Sequence, residues 1–437
     1  MGIREQLAIK FGLPLILTKE RLKTGVSFNP LSSDLRYDPH PLFRRLREKD
    51  PVHYSEAFRG WIVTRYDDVQ GILRDSSWAA DRSLIENELM AQQMDSDSIQ
   101  NQVLARTMLT VDPPDHTRLR GLVNKAFTPR AVEKMKPRIQ EIADDLLDEL
   151  DGAEEMDVIR HLAYPLPVIV IAEMLGVPPE DRERFKKWSD EMVMTLGLQE
   201  DPEKNKIADQ AVVELVDYFR EIIQQRRAEP RDDLISGLIA AHEGSDALTE
   251  GEMLGTCILL LVAGNETTTN LIGNGLLSLL DHPDELERLR KQPELMESAI
   301  EEMLRYEYPV MSTVRTPLED RQLDGKTIRK GQPVMVTIAA ANRDPAQFPD
   351  PDRFDIAREP NHHVAFGHGI HFCLGAPLAR AEGRAAIAGL LARYPDLRSL
   401  AAKPDWGEGI ILRGLQTFPA ALGERSEKEL PVATAAS

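Results

Sequence analysis

Between Thr249 and Pro283 the chain contains no proline, and apolar residues occupy nearly every side of a helical projection. Thr249-Glu250-Gly251-Glu252 has the form of a capping box, with Thr249 able to cap and Glu252 able to reach back. The pattern predicts one helix of about 32 residues, roughly 48 Å long at 1.5 Å per residue. Its middle, CILLLVAGNETTTNLIG, is apolar almost all round, so such a helix crosses a protein interior and does not lie on its surface. The longest strictly apolar runs, Cys257 to Gly264 among them, span about eight residues, against roughly 20 for a membrane span. The expectation is a protein body wrapped around this one helix.

A polar patch, Gly264-Asn265-Glu266-Thr267-Thr268-Thr269, interrupts that apolar run. Burying a glutamate without a partner is costly. Threonines bonding back to the preceding turn would account for part of the patch. A polar ligand or water beside the helix centre accounts for the acid as well, and is the better reading.

Elsewhere helical spacing dominates, as in 131–151 and 208–228. Residues 51–66 read as two short strands turning around Phe58–Gly60, and 318–340 carry turns at Asp324-Gly325 and Lys330-Gly331. The fold class predicted is mainly α with small β-sheets (α+β). Hydrophobic residues at 42% and charged residues at 29% exclude a disordered or fibrous chain. A formal charge of −19 repels phosphate backbones and argues against nucleic-acid binding. Cys257 and Cys373 are the two cysteines, too few for a disulfide scaffold or an all-cysteine metal site. The start, MGIREQLAIKFGLPLILTKE, lacks the features of a signal peptide, so a cytoplasmic location is expected. Ile3, Leu7, Phe11 and Leu15 are spaced to dock a helix on the body. The polar residues after Gly423 are expected to fray.

The chemistry concentrates in Phe366-Gly367-His368-Gly369-Ile370-His371-Phe372-Cys373-Leu374-Gly375. Glycines permit tight turns there, and successive backbone N–H groups in such turns can point at a sulfur and favour its thiolate. Ala376-Pro377 then opens a helix whose positive end adds to that preference. Alone, the stretch also reads as an inert cysteine in a glycine-rich loop.

This segment resembles the haem-binding signature of the cytochrome P450 family, Phe-x-x-Gly-x-His/Arg-x-Cys-x-Gly. Phe366, Gly369, His371, Cys373 and Gly375 match it, with Gly367 inside the same loop. Three further motifs occur in the family's order, so the resemblance runs from about residue 36 to 422 and is closest to the soluble bacterial branch. It implies a cytochrome P450 fold with the long helix over a haem. It implies an N-terminal extension over 1–35, a single haem domain over 36–423 and a disordered tail over 424–437. The implied cofactor is heme b, iron protoporphyrin IX, with Cys373 as axial thiolate and Phe366 packed beside it. His371 would reach a propionate, as would His116 and Arg120, which stand at i and i+4 on one helix face, and Arg315 would meet another. Glu302 and Arg305 match Glu-x-x-Arg, with Arg353 as the third member of a buried structural set. Ala263-Gly264-Asn265-Glu266-Thr267 matches the oxygen-activation motif: Gly264 would let the helix open, Thr267 would hydrogen-bond the reacting oxygen, and Glu266 would connect to a proton supply.

The implied activity is a monooxygenase that places one atom of O2 in a hydrophobic small molecule, by hydroxylation or epoxidation, and releases the other as water. The substrate pocket would draw on 82–106, Ala263, Gly264, Val310, Met311, Ile410 and Ile411, with Met90, Met94 and Met108 nearby. Arg82 or Arg106 would be available to a substrate carboxylate, but a solvated or structural arginine is the better reading of each. No flavin or iron–sulfur pattern is present, which implies a separate ferredoxin or flavodoxin and its reductase, docking on Lys125, Arg130, Arg380 and Arg384. Two other classes fit the sequence less well. A haem-binding sensor or carrier would not need Glu266-Thr267. A non-haem metal hydrolase using His362, His363, His368 and His371 lacks a helical His-x-x-x-His pair.

Overall fold

The computed structural model describes residues 12–86, 103, 106–193, 202–243 and 246–426. The long helix is Glu250–Asp281, 32 residues, and its capping box forms: Thr249 Oγ1 accepts the Glu252 N–H at 3.3 Å, while Glu252 accepts the Thr249 N–H at 2.9 Å. Helices Pro129–Asp148 and Pro202–Ala228 cover the other two periodic stretches. The long helix packs against Pro165–Leu175, Met296–Tyr306 and Ala376–Arg393, and residues from Met253 to Leu279 share the largest apolar core with them. It therefore runs through the interior, as its all-round apolarity requires.

The sheets are small. The largest has five strands in the order Val52–Ser55, Gly60–Val63, Val334–Val336, Thr313–Pro317, Trp78–Ala79. Ser55 pairs with Gly60, which places the first turn around Phe58. The Asp324-Gly325 turn joins Arg321–Leu323 to Lys326–Ile328 with both residues at positive φ, 48° and 70°, as a two-residue hairpin loop of this kind demands. The fold is mainly α with small β-sheets.

The beginning of the chain departs from the expected boundary. Val26, Phe28 and Leu35 are buried with Leu42, Phe43, Tyr308 and Met335, so the core reaches back well before residue 36. Helix Leu13–Thr24 is fastened by Glu20, which accepts from His53 Nε2 at 2.6 Å and from the Phe28 N–H at 2.8 Å. Asp50 meets His53 Nδ1 at 2.8 Å. Leu15, 73% exposed, and Leu22, 83% exposed, face outward, so the described part of this helix is held through its buried acid and not through Leu15. Ile3, Leu7 and Phe11 lie outside the described residues, as does most of the tail.

Burial pulls the His53 pKa down, but hydrogen bonds and charge from Asp50 and Glu20 outweigh it, and the net shift is upward. Lys326 sits on the far side of Asp50. A folded pKa above the unfolded value of about 6.5 stabilises fully below that value and fades as pH rises through the folded one. Hydrogen-exchange protection of Leu13–Thr24 should accordingly be high at pH 6 and decline in alkali. His53→Gln should lower protection at pH 6 and flatten the profile; an unchanged profile would show that the clasp does not titrate.

Candidate active site

Helix Ala376–Arg393 carries a proline in its first turn, and the cysteine loop leads into it. The Cys373 N–H donates to the Phe366 carbonyl at 2.9 Å and closes the loop. Gly369 has φ +70°, and a Cβ there would come 2.5 Å from the Leu73 carbonyl oxygen, so the site admits only glycine. Gly367 is likewise at positive φ, whereas Gly375 has φ −81° and serves through its N–H.

Burial pushes the Cys373 thiol up, and the N–H groups of Gly375 and Ala376 with the charges of Arg120 and Arg380 only partly offset this. The expected thiolate preference is therefore outweighed by desolvation. Such a sulfur ionises when a metal cation takes it. Cys257, fully buried, is pushed up to about 12 and is inert.

His116 and Arg120 lie on helix Asp115–Ala126. The His116 ring sits 4.2 Å from that of His371, and Arg120 donates to the Phe372 carbonyl at 2.8 Å. Both ring nitrogens of His116 and Nε2 of His371 are buried without a hydrogen-bond partner. Asp112 is 3.9 Å from His371 Nε2, beyond hydrogen-bond reach. Burial first, then His371 and Arg120, hold His116 at about 4. Arg315 is buried, lowered to about 10 by desolvation, and donates to Thr313 Oγ1 and the Val314 carbonyl. Buried polar groups normally find partners, so these orphaned nitrogens call for acceptors from outside the chain. A haem fits: its iron would take the Cys373 sulfur, and its propionates would meet His116, His371, Arg120 and Arg315.

On the long helix, Thr267 Oγ1 donates to the Ala263 carbonyl at 2.8 Å and Thr269 Oγ1 to the Asn265 carbonyl at 3.0 Å. This back-bonding accounts for Thr267 and Thr269 but not for Thr268 or the acid. Glu266 Oε2 is buried without a partner, and burial raises its pKa to about 7. The expected opening at Gly264 is not seen; Glu250–Asp281 is continuous helix, because Thr267 shares the Ala263 carbonyl without displacing the helical ladder. Sequence reasoning missed Glu382. It is 2% exposed on helix Ala376–Arg393, burial raises it to about 8, and the Thr268 hydroxyl bonds it. Its one signal was an acid among alanines and glycines in ARAEGRAAIAG.

Glu302 and Arg305 are both 0% exposed and joined by two bonds of 2.7 Å. The third arginine is Arg358, whose Nε reaches Glu302 at 3.2 Å, and not Arg353. The Arg353 side chain is 61% exposed; the backbone there turns its carbonyl inward, where Arg305 and Arg358 donate to it. Met311 also differs from expectation. It is 2% exposed and packs with Phe28, Tyr308 and Met335, with Ile410 against the same cluster, so it fills the core and does not wall a pocket. Its N–H donates to the Ile411 carbonyl at 2.7 Å, and Val310 bridges Leu412. Ile411 remains 39% exposed, and Ala263 is exposed beside a half-buried Gly264. Met108 joins the main core; Met90, Met94 and most of 82–106 lie outside the described residues. Of the expected docking charges, Arg380 is paired with Glu301 and Arg384 with Glu297. Among the described residues no three His, Cys, Asp or Glu side chains gather as a metal site: His363 meets Glu301, and His368 accepts the Gly369 N–H.

The family model described as Cytochrome P450 matches residues 83–397. The chain is a cytochrome P450. This P450 is 47% identical over 393 residues to cytochrome P450 107B1 of Saccharopolyspora erythraea, covering 87% of this chain and 94% of that one. It is 41% identical to the polyketide biosynthesis cytochrome P450 PksS of Bacillus subtilis, covering 91% and 99%. The solved structure of PksS superposes with a TM-score of 0.83 at 40% identity, over 90% of this chain and 99% of that one. A further neighbour is P450BioI in complex with an acyl carrier protein bearing hexadec-9Z-enoic acid, at TM-score 0.80 and 40% identity, covering 88% and 98%. The P450 is thus a haem-thiolate monooxygenase that inserts one oxygen atom from O2 into a small molecule. Among the described residues no helix is long and apolar enough to cross a membrane.

Proposed function

We propose that Cys373 is the axial thiolate of this P450 and that His116, Arg120, His371 and Arg315 receive the haem propionates. The observation that carries this reading is the set of buried, partnerless imidazole nitrogens gathered at the cysteine loop. Bound haem supplies oxygen activation and one-electron chemistry. Phe366, Gly367 and Gly375 shape the loop that holds the sulfur. Glu266, titrating at about 7, holds and releases a proton at its carboxyl group near neutral pH, and the Thr267 hydroxyl relays it into the site. Glu302, Arg305 and Arg358 brace the segment that leads to the loop.

The substrate is a hydrophobic molecule of medium to large size, such as a fatty acid, terpenoid, steroid or polyketide, received beside Ala263, Gly264, Val310 and Ile411. The names of PksS, a polyketide enzyme, and of P450BioI with its acyl chain support that range. Electrons come from a separate ferredoxin or flavodoxin in the cytoplasm. Lys125 and Arg130 are exposed and suited to an acidic carrier; Arg380 and Arg384 are each paired with a glutamate.

The test is the carbon monoxide difference spectrum of the reduced protein, which should show thiolate ligation and stay unchanged in Cys257→Ala. Thr267→Val keeps the β-branched shape and removes the hydroxyl. That variant should bind haem and substrate normally yet turn most of its reductant into hydrogen peroxide, with product per reductant falling at least several-fold, toward the roughly 10²–10⁴-fold that general acid–base catalysis contributes. Wild-type coupling in Thr267→Val would leave Thr267 a packing residue.

A further inference from the structure

Glu301 lies next to the Glu302–Arg305 pair on helix Met296–Tyr306 but faces different partners. Arg380 Nε and Nη2 grip its two oxygens at 2.6 and 2.8 Å. His363 adds a third bond at 3.1 Å. The Ala365 N–H donates to His363 Nδ1, so the ring proton sits on Nε2 and points at the carboxylate. Although burial works against it, these donors hold Glu301 down to about 2, permanently ionised. A bidentate grip fixes a guanidinium in orientation as well as position.

The fixed guanidinium lies over an aromatic ring. Arg380 Cζ is 4.5 Å from the centre of the Phe366 ring, a cation–π distance, and the carbonyl of the same Phe366 accepts the Cys373 N–H. Arg120 and Arg380 are the two side-chain charges that favour ionised Cys373. Arg120 spends its bond within the chain on the Phe372 carbonyl, so Arg380 is the one of the two whose charge is held by a carboxylate of the chain itself.

We propose that Glu301 is a positioning residue that sets the reduction potential of the haem by clamping Arg380 over Phe366. The inference rests on Cys373 being the axial ligand. A cation held near the sulfur stabilises the added electron, and the carboxylate behind it works in the opposite direction. The pair therefore acts as an oriented dipole, positive end toward the cysteine loop. Loose surface charges, screened by solvent and salt, contribute much less.

The experiment is redox titration of haem-loaded variants, with the carbon monoxide spectrum recorded for each. Arg380→Gln should make reduction harder and Glu301→Gln easier, each by about three- to tenfold in the reduction equilibrium, roughly 30–60 mV at 59 mV per decade for one electron. The double variant should return close to wild type. Arg384→Gln removes the same formal charge one turn along and should shift the equilibrium by less than twofold. Arg380→Lys keeps the charge but not the grip, and should fall between wild type and Arg380→Gln; with Glu301→Gln it decides the matter if Arg380→Gln fails to fold. Shifts in the same direction for Glu301→Gln and Arg380→Gln, or an Arg384→Gln shift as large as that of Arg380→Gln, would overturn the clamp. Absence of a thiolate-type spectrum in wild type would instead overturn the ligand assignment beneath it.

Discussion

Cys373→His yields a protein that either carries an imidazole-ligated haem or carries none, and in both cases the thiolate-type carbon monoxide spectrum disappears. The loop is the reason for so complete an effect. Gly369 cannot gain a Cβ without meeting the Leu73 carbonyl, and the Cys373 N–H is committed to Phe366, so the backbone has no freedom to bring another sulfur forward. Cys257 is enclosed in the long helix, 0% exposed, and cannot substitute. Imidazole is larger than the thiol and neutral, and it withdraws the anionic electron donation that favours O–O cleavage. Monooxygenase turnover should fall below detection even where haem is retained. Retention of an unchanged thiolate-type spectrum in the variant would remove Cys373 from the site.

Arg305→Ala produces little soluble, haem-loaded protein. Arg305 donates to both oxygens of Glu302 and to the carbonyls of Asn342, Pro351 and Arg353, all of which lose a donor together. Glu302 keeps Arg358, the Asp355 N–H and Asn361, which softens but does not cancel the loss. Breaking a buried pair by removing one partner costs about 3–5 kcal/mol. Domains are stable by roughly 5–15 kcal/mol, so a large share of the margin goes. Arg353→Ala is the informative companion: its side chain is turned to solvent, and the variant should express, melt and bind haem within error of wild type. Haem-to-protein ratio and melting temperature check both. A fully loaded, stable Arg305→Ala protein would make the pair dispensable.

What the sequence disclosed and what it withheld divide by range. The capped long helix and the turns of the cysteine loop are local: Thr249 and Glu252 are three residues apart, and the φ of +70° that favours glycine at 369 is set within one turn, although the carbonyl that crowds it, that of Leu73, comes from far away in the chain. The chemistry was readable for that reason. Arg358 was not, because a loop of arginines and prolines carries no periodicity to say which side chain turns inward. Met311 was misplaced for a related reason; it sits in irregular chain between the Val310–Leu412 bridge and strand Thr313–Pro317, where no periodicity says which side chain faces the core. Glu382 pairs with Thr268 and Glu20 with His53 across long stretches of chain, and no local pattern announces either.

The Glu20–His53–Asp50 clasp bears on how this P450 can be joined to another protein. Fusing a reductase to supply electrons invites trimming of one end, and the first two dozen residues look expendable, with Leu15 and Leu22 facing outward. Trimming there would remove Glu20, strand His53 with one carboxylate and uncover Phe28, whose N–H also depends on Glu20. At the other end the core closes at Leu422, and the last described residues hold to the surface: Arg425 bridges the exposed Asp148 and Asp151, and the Ser426 N–H donates to the Arg393 carbonyl. A fusion should therefore grow from the C-terminal side and leave the N-terminal helix whole.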